Sequence, residues 1–257
     1  MRQNIYLGNN RLLTSLYTGH KIFVDTRDIG IAPHLMWEGR WEPWIDHHVL
    51  AAVQPGMTVC DVGASFGYYS LLLAEKIGPL GKLHAFEPNP GIARLLKQSA
   101  AVNGFDQRVH VHFFALGKEE GELTLHVDEA SVGGSFLGAP ETIDGFVPLL
   151  VSVRRLDQVL KPGEPVHFLK VDVEGFEDAM MQGAGALLDH PDLRGALMEF
   201  RRISDSANDL PRYVAQFFGR GMTVVALEPG GPIKLANVGA VMALPKGHLT
   251  NLLFQSP

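Results

Sequence analysis

Val59-Cys60-Asp61-Val62-Gly63-Ala64-Ser65-Phe66-Gly67-Tyr68-Tyr69-Ser70 carries the most information about topology. A short β-rich run ends in a carboxylate, passes through a glycine turn and opens an apolar helical stretch over residues 66–77, stopped by Gly78-Pro79. Gly63 and Gly67 let backbone approach a ligand closely. Ser65 is placed to cap the helix. The spacing is G-x-x-x-G rather than the G-x-G-x-x-G of dinucleotide sites. Asp61 would repel a pyrophosphate, so a cationic ligand suits this strand end better. The plain alternative is that both glycines merely allow tight strand–helix packing.

Outward from this unit, strand and helix signals alternate. Residues 83–86 form a short apolar strand ending in Glu87-Pro88-Asn89, with Glu87 lying 26 residues after Asp61 (87 − 61). An acid at that position of a doubly wound fold accepts hydrogen bonds from ribose hydroxyls. Asn89 caps a helix with Pro90 at its first position and Gly104 just past its end. Residues 109–114 alternate as a strand, and 123–127 alternate again as its expected hairpin partner. Further strands are expected at 166–171, 193–200, 222–227 and about 237–244, with helices at 176–188 and 207–219. The pattern implies an α/β fold: a mostly parallel sheet, helices on both faces, and an antiparallel edge made by the last strands around Gly230-Gly231. Residues 28–45 and 128–148 read as irregular.

The whole chain has 257 residues, 46% hydrophobic and 19% charged, with a net charge of −6. That supplies a sizeable core and no chain-wide basic field for nucleic acid or an anionic membrane. The single cysteine, Cys60, rules out an intramolecular disulfide framework and a cysteine-rich zinc module. No secretory signal or run of about 18 apolar residues is present, so the cytoplasm is the expected location. One domain is expected, with residues 1–50 as a cap and 51–257 as the core.

A third strand end, Val171-Asp172-Val173-Glu174-Gly175, again places carboxylates before a glycine and a helix. Glu199 ends a further strand. In open α/β sheets ligands bind at the carboxyl ends of strands, so Asp61, Glu87, Asp172, Glu174 and Glu199 should gather on one edge. Such a set faces a cation or includes raised pKa values. Asp172, Glu174 and Glu199 leave room for Mg²⁺ without demanding it, and no metal is assigned. His110 and His112 share a strand face, but alternation on a half-exposed strand explains them better than zinc does.

In order and spacing, these stretches resemble the FkbM family of S-adenosylmethionine-dependent methyltransferases. The matching segments are DVGASFGYYSLLLAEKIGPLGKLHAFEPNP, ALGKEEGELTLHV, GGSF at 133–136, VDVEG at 171–175 and MEF at 198–200. The resemblance implies a Rossmann-like class I methyltransferase fold with a seven-stranded sheet. It also implies S-adenosylmethionine as cofactor and methylation of a hydroxyl on a small molecule, a sugar or natural product. The cofactor-binding candidates are Glu42, Asp61, Gly63, Ala64, Ser65, Gly67, Tyr68, Ser70, Glu87, Pro88, Asn89, Ala115, Leu116 and Asp172. Ser65 stands where the family usually has Asn, and Phe114 where it usually has a small or polar residue.

An alcohol is a poor nucleophile at neutral pH, so a base is expected: Asp172 or Glu174, with Glu199 and His34 as second choices. All three tryptophans lie within Trp37-Glu38-Gly39-Arg40-Trp41-Glu42-Pro43-Trp44. This segment reads as a cap or as a lid, with Trp37 and Trp41 lining the acceptor pocket and Gly134 and Ser135 closing its other side. Two other classes compete. A non-catalytic cofactor-binding protein would bind without turnover. A nicotinamide-dependent oxidoreductase lacks its glycine signature here and would have to tolerate Asp61. No nucleic-acid or membrane partner is expected.

Overall fold

The computed structural model describes residues 3–161, 163–201, 210–245, 247 and 249–257. The N-terminal segment begins as a three-stranded antiparallel sheet: β1 (Ile5–Tyr6), β2 (Arg11–Ser15) and β3 (Lys21–Asp25). Two helices follow, α1 (Ile31–Trp37) and α2 (Pro43–Ala52). They replace the irregular stretch expected over 28–45. Pro33 and Pro43 lie in first turns, where proline is tolerated, and so mark helix starts rather than breaks.

The alternating core comes next: β4 (Thr58–Val62), α3 (Tyr68–Ile77), β5 (Lys82–Phe86), α4 (Pro90–Val102) and β6 (Val109–His112). Asn89 caps α4 as expected, its side chain accepting from the Gly91 and Ile92 amides. Then come β7 (Ala115–Leu116), β8 (Gly121–Val127), β9 (Phe136–Gly138) and β10 (Val147–Arg154). Here the expected hairpin is corrected. β8 does not pair with β6; it pairs antiparallel with β10 and β9 in a separate four-stranded sheet. Alternation shows that a segment is a half-buried strand, not which strand lies beside it.

The chain closes with α5 (Leu156–Val159), β11 (Phe168–Val171), α6 (Glu177–Ala184), β12 (Gly195–Arg201), α7 (Leu210–Gly219), β13 (Thr223–Glu228), β14 (Gly231–Leu235), α8 (Val238–Met242) and β15 (Leu249–Gln255). The expected helix 207–219 begins outside the described residues. The strand expected over 237–244 is instead α8, capped by Asn237, and the last strand lies later, at β15.

The main sheet has eight strands in the order β14-β13-β15-β12-β11-β4-β5-β6. From β12 to β6 it is parallel. β15 runs antiparallel between β12 and β13, and β13–β14 forms an antiparallel hairpin at the edge. The sheet thus has eight strands, one more than the seven expected, with β15 in place of the strand expected over 237–244. Two hydrophobic clusters cover its faces. One joins α2, α3 and α4 to Leu12, Ile22 and Val24 of the N-terminal strands; the other gathers α6, α7 and α8. Cys60 is fully buried in the second, where burial pushes its thiol pKa up and leaves it a small apolar residue. No described helix is long and apolar enough to cross a membrane.

Candidate functional site

The central strands β4, β5 and β11 end together, and their parallel register sets which side chains meet. Asp61 lies opposite Lys170 across β4–β11. Beyond the strand ends, Gly63 turns the chain at φ +75°. A Cβ there would lie 1.7 Å from the Asp172 carbonyl oxygen, so glycine is what allows the two loops to close on each other. At Gly67 a Cβ would meet Leu96 of α4 at 2.8 Å. The first glycine thus packs loop on loop and the second packs helix on helix.

A cavity opens above these ends. Its polar groups include Glu42, Glu87, Asp172, Glu174 and Glu199, and among its described lining residues there is no Lys, Arg or His. Its apolar side includes Ile31, Trp41, Phe86, Phe114, Leu125 and Phe136. Among the described residues, three of the five non-glycine residues with positive φ line it: Glu42 (+47°), Ser65 (+49°) and Glu174 (+51°). The other two, Asn9 and Asn10, lie between β1 and β2, and asparagine tolerates the left-handed region. Strained backbone concentrates where a side chain must be aimed against its own preference.

Each strain has a local purpose. Glu42 is the N-cap of α2 but makes no side-chain cap bond; its carboxylate accepts from the Tyr69 hydroxyl at 3.3 Å. Burial raises its pKa to about 7, with Asp172 adding and Lys170 and Tyr69 opposing. Ser65 does not cap α3 as expected, because Gly67 is the cap; its amide donates to Glu87 at 3.0 Å. The Ser65 hydroxyl is buried without a hydrogen-bond partner among the described residues. Near Glu174, the turn amides of Val173 and Gly175 donate to Glu177 at 3.2 and 3.1 Å, so Glu177 takes the role that Glu174 would have as a plain helix-capping acid.

Glu87 is buried at the end of β5 and accepts from the Ser65 and Asn89 amides. Burial lifts its pKa to about 7, the two amides and Lys170 pull it down, and Asp61 pushes it up. Asp172, Glu174 and Glu199 bring carboxylate oxygens within 4.8 Å of one another. The N-terminal segment and the 128–138 segment wall the cavity together, tied by the buried Asp28. Its two oxygens accept from the amides of Ala32 (2.6 Å) and Val132 (2.8 Å).

Of the residues singled out in the sequence, Glu42, Gly63, Ser65, Glu87, Pro88, Asn89, Ala115, Leu116, Trp41, Ser135, Asp172, Glu174 and Glu199 line the cavity. Ala64, Gly67, Tyr68, Ser70 and Asp61 lie behind it. Asp61 is fully buried, accepting from Ser70 at 2.6 Å, and Tyr68 donates to Asp46. His34 and Trp37 point elsewhere. One turn apart on α1, they share a surface groove with Asn4 and Met36, and Trp37 is 86% exposed. Gly134 is replaced on the lining by its neighbour Gly133. Lys170 escaped notice, since in sequence it reads only as part of an apolar strand. The His110–His112 face does hold a third histidine: His84 shares a hydrogen bond of 3.0 Å with His112 and meets Glu164 at 3.3 Å. No histidine belongs to a metal-spaced cluster among the described residues.

The parallel sheet with its glycine turn, the ribose-type acid at the second strand end and the acidic cavity, whose described lining holds no Lys, Arg or His, define a Rossmann-like methyltransferase whose cofactor is S-adenosylmethionine. The donor set fits that molecule: carboxylates for its ammonium and sulfonium, and a hydroxyl at Ser65 that is buried without a partner among the described residues. The model of the methyltransferase FkbM domain matches residues 61–222, and the chain belongs to that family. A stretch of 58 residues is 41% identical to protein-L-isoaspartate O-methyltransferase of Aeropyrum pernix; it spans 23% of this chain and 22% of that relative's length. Among solved structures, a SAM-dependent methyltransferase from Agrobacterium tumefaciens has a TM-score of 0.48 at 12% identity, covering 98% of this chain and 75% of its own. Aeropyrum pernix fibrillarin with natively bound S-adenosyl-L-methionine has a TM-score of 0.45 at 12% identity, covering 99% and 100%.

Proposed function

We propose that this chain transfers the methyl group of S-adenosylmethionine to a hydroxyl oxygen of a small, uncharged acceptor such as a sugar or a natural product. The observation that carries this reading is the meeting of Asp172, Glu174 and Glu199 in a cavity that is also lined by Trp41, Phe86, Phe114 and Phe136. The cofactor supplies an electrophilic methyl on sulfur. Glu87 would accept hydrogen bonds from its ribose hydroxyls, Ser65 would offer its backbone and hydroxyl, and Ala115 and Leu116 would border its adenine. Glu42 faces the cofactor's ammonium from the N-terminal segment.

In the transfer, the acceptor oxygen forms the new bond to carbon as the carbon–sulfur bond breaks toward sulfur. The hydroxyl proton passes to a carboxylate. Asp172 and Glu174 are the first candidates for that base, and Glu199 the next. A positioned base contributes about 10²–10⁴-fold, and near-attack placement about 7–11 kcal/mol. Trp41, Phe136 and Leu137 give an apolar surface suited to a sugar face or an aliphatic ring. A described lining without Lys, Arg or His disfavours phosphorylated acceptors and nucleic acid. Hard-cation ligation by the three carboxylates would make EDTA inhibitory; we assign no metal and expect activity to survive it.

Incubating the protein with methyl-deuterated S-adenosylmethionine and a metabolite extract, followed by mass spectrometry, tests the reading. A labelled product whose hydroxyl has become a methyl ether supports it. Labelled N-methyl or C-methyl products would overturn the oxygen assignment.

A further inference from the structure

Lys170 is 3% exposed, beneath a cavity crowded with acids. Its Nζ lies 3.5 Å from Asp61 Oδ1 and 3.3 Å from Asp172 Oδ2, with the Tyr69 ring 5.3 Å away. The Tyr69 hydroxyl in turn donates to Glu42. Burying a lysine costs solvation and side-chain entropy, so partners must compensate for it. Burial alone would lower its pKa, but Asp172 and Asp61 raise it well above the lysine range, so it stays charged. Of its two carboxylates, Asp61 is sealed behind the sheet end and also bonded to Ser70, while Asp172 reaches the cavity. Lys170 therefore touches the cavity lining through Asp172, and its charge is also felt by Glu42 and Glu87.

The charge balance gives that contact a purpose. Methyl transfer discharges a sulfonium into a neutral thioether. Carboxylates around the sulfonium stabilise the charged donor more than the transition state, in which the positive charge is already leaving sulfur, and stabilisation confined to the ground state slows the chemistry. We propose that Lys170 is a positioning residue that fixes Asp172 and offsets its charge, limiting the cavity's preference for the sulfonium donor over the neutral-sulfur product. The inference rests on S-adenosylmethionine as the bound cation.

The test is calorimetric titration of wild type, Lys170→Met, Lys170→Arg and Asp172→Asn with S-adenosylmethionine and S-adenosylhomocysteine, which differ by the charge on sulfur. The readout is the ratio of the two affinities, which general loosening of the fold would leave alone. Lys170→Met should raise the preference for S-adenosylmethionine at least about tenfold, and Lys170→Arg should keep the wild-type ratio. Asp172→Asn, which leaves Lys170 less opposed, should move the ratio the other way. It stands as the second variant if Lys170→Met does not fold. An unchanged or lowered ratio in Lys170→Met overturns the inference, as does an arginine variant that behaves like methionine or an unmoved ratio in Asp172→Asn. Failure of wild type to bind either ligand would instead remove the cofactor reading beneath it.

Discussion

Gly63→Ala isolates the feature on which the cavity depends. The added Cβ would sit 1.7 Å from the Asp172 carbonyl oxygen, while ordinary contact begins near 3.4 Å. One of the two loops must therefore move by about 1.7 Å. Two costs add: about 1–2 kcal/mol for a side chain in left-handed backbone and about 1–3 kcal/mol for overpacking. At roughly 2–4 °C per kcal/mol for a chain of this size, the melting temperature should fall by about 4–20 °C. The functional loss should be larger than stability alone implies, because misplacement by about 1 Å costs on the order of 10²-fold. Gly104→Ala, just past the end of α4, is the control. It also has positive φ (+72°), but a Cβ there meets nothing within 4 Å, so it bears the backbone cost alone. Differential scanning fluorimetry and titration with S-adenosylhomocysteine provide the two readouts. If Gly63→Ala matches Gly104→Ala in melting temperature and retains wild-type affinity, the close approach of the two loops is not what shapes the site.

Glu42 and Glu87 are held near pH 7, so S-adenosylmethionine should bind more tightly as pH rises from 6 to 8 and both ionise, with proton release visible as buffer-dependent enthalpy. Glu87→Gln should flatten that rise; a pH-independent wild type would count against it. The same two carboxyls bind more protons in the fold than in the unfolded chain, so they favour the unliganded fold below about pH 4.5, and that contribution is lost as pH rises towards 7. His112 works oppositely: burial, with His84 and His110 beside it, lowers it to about 4, so its contribution is complete above about pH 6.5 and disappears as pH falls towards 4. His112→Phe, which keeps a ring against Phe86, should reduce the acid sensitivity seen in denaturant melts at pH 5 compared with pH 7. Glu174→Gly should relieve left-handed strain and raise the melting temperature by a few degrees while reducing turnover at least about tenfold; a rise in both would place Glu174 outside the chemistry.

Local units were legible. The strand–turn–helix at 59–70, the acid of β5 with its asparagine cap, and the carboxylates after β11 each announce themselves within a dozen residues, because turn chemistry and apolar period are local. Failures came where a partner lay far along the chain. Leu123–Val127 alternation showed a strand, but not that Leu125 would face Leu149. Nothing in Phe168-Leu169-Lys170-Val171 says that parallel register sets Lys170 beside Asp61. Val238–Met242 is a short apolar run, and such runs are ambiguous between strand and helix unless the Asn237 cap is weighed. In sequence the tryptophan cluster reads as a cap or a lid with Trp37 and Trp41 on the acceptor pocket, but Trp37 goes outward with α1 while Trp41 faces the cavity. The positive φ values of Glu42, Ser65 and Glu174 are invisible in sequence, since none of the three is a residue that prefers them.

The central claim is that the acidic cavity at the ends of β4, β5 and β11 is built for a cationic methyl donor. Calorimetric titration of the purified chain with S-adenosylmethionine and, separately, with NAD tests it most directly. The expected result is saturable one-site binding of S-adenosylmethionine, weakened by Glu87→Gln, with no heat from NAD. Binding of NAD with none of S-adenosylmethionine would contradict the account.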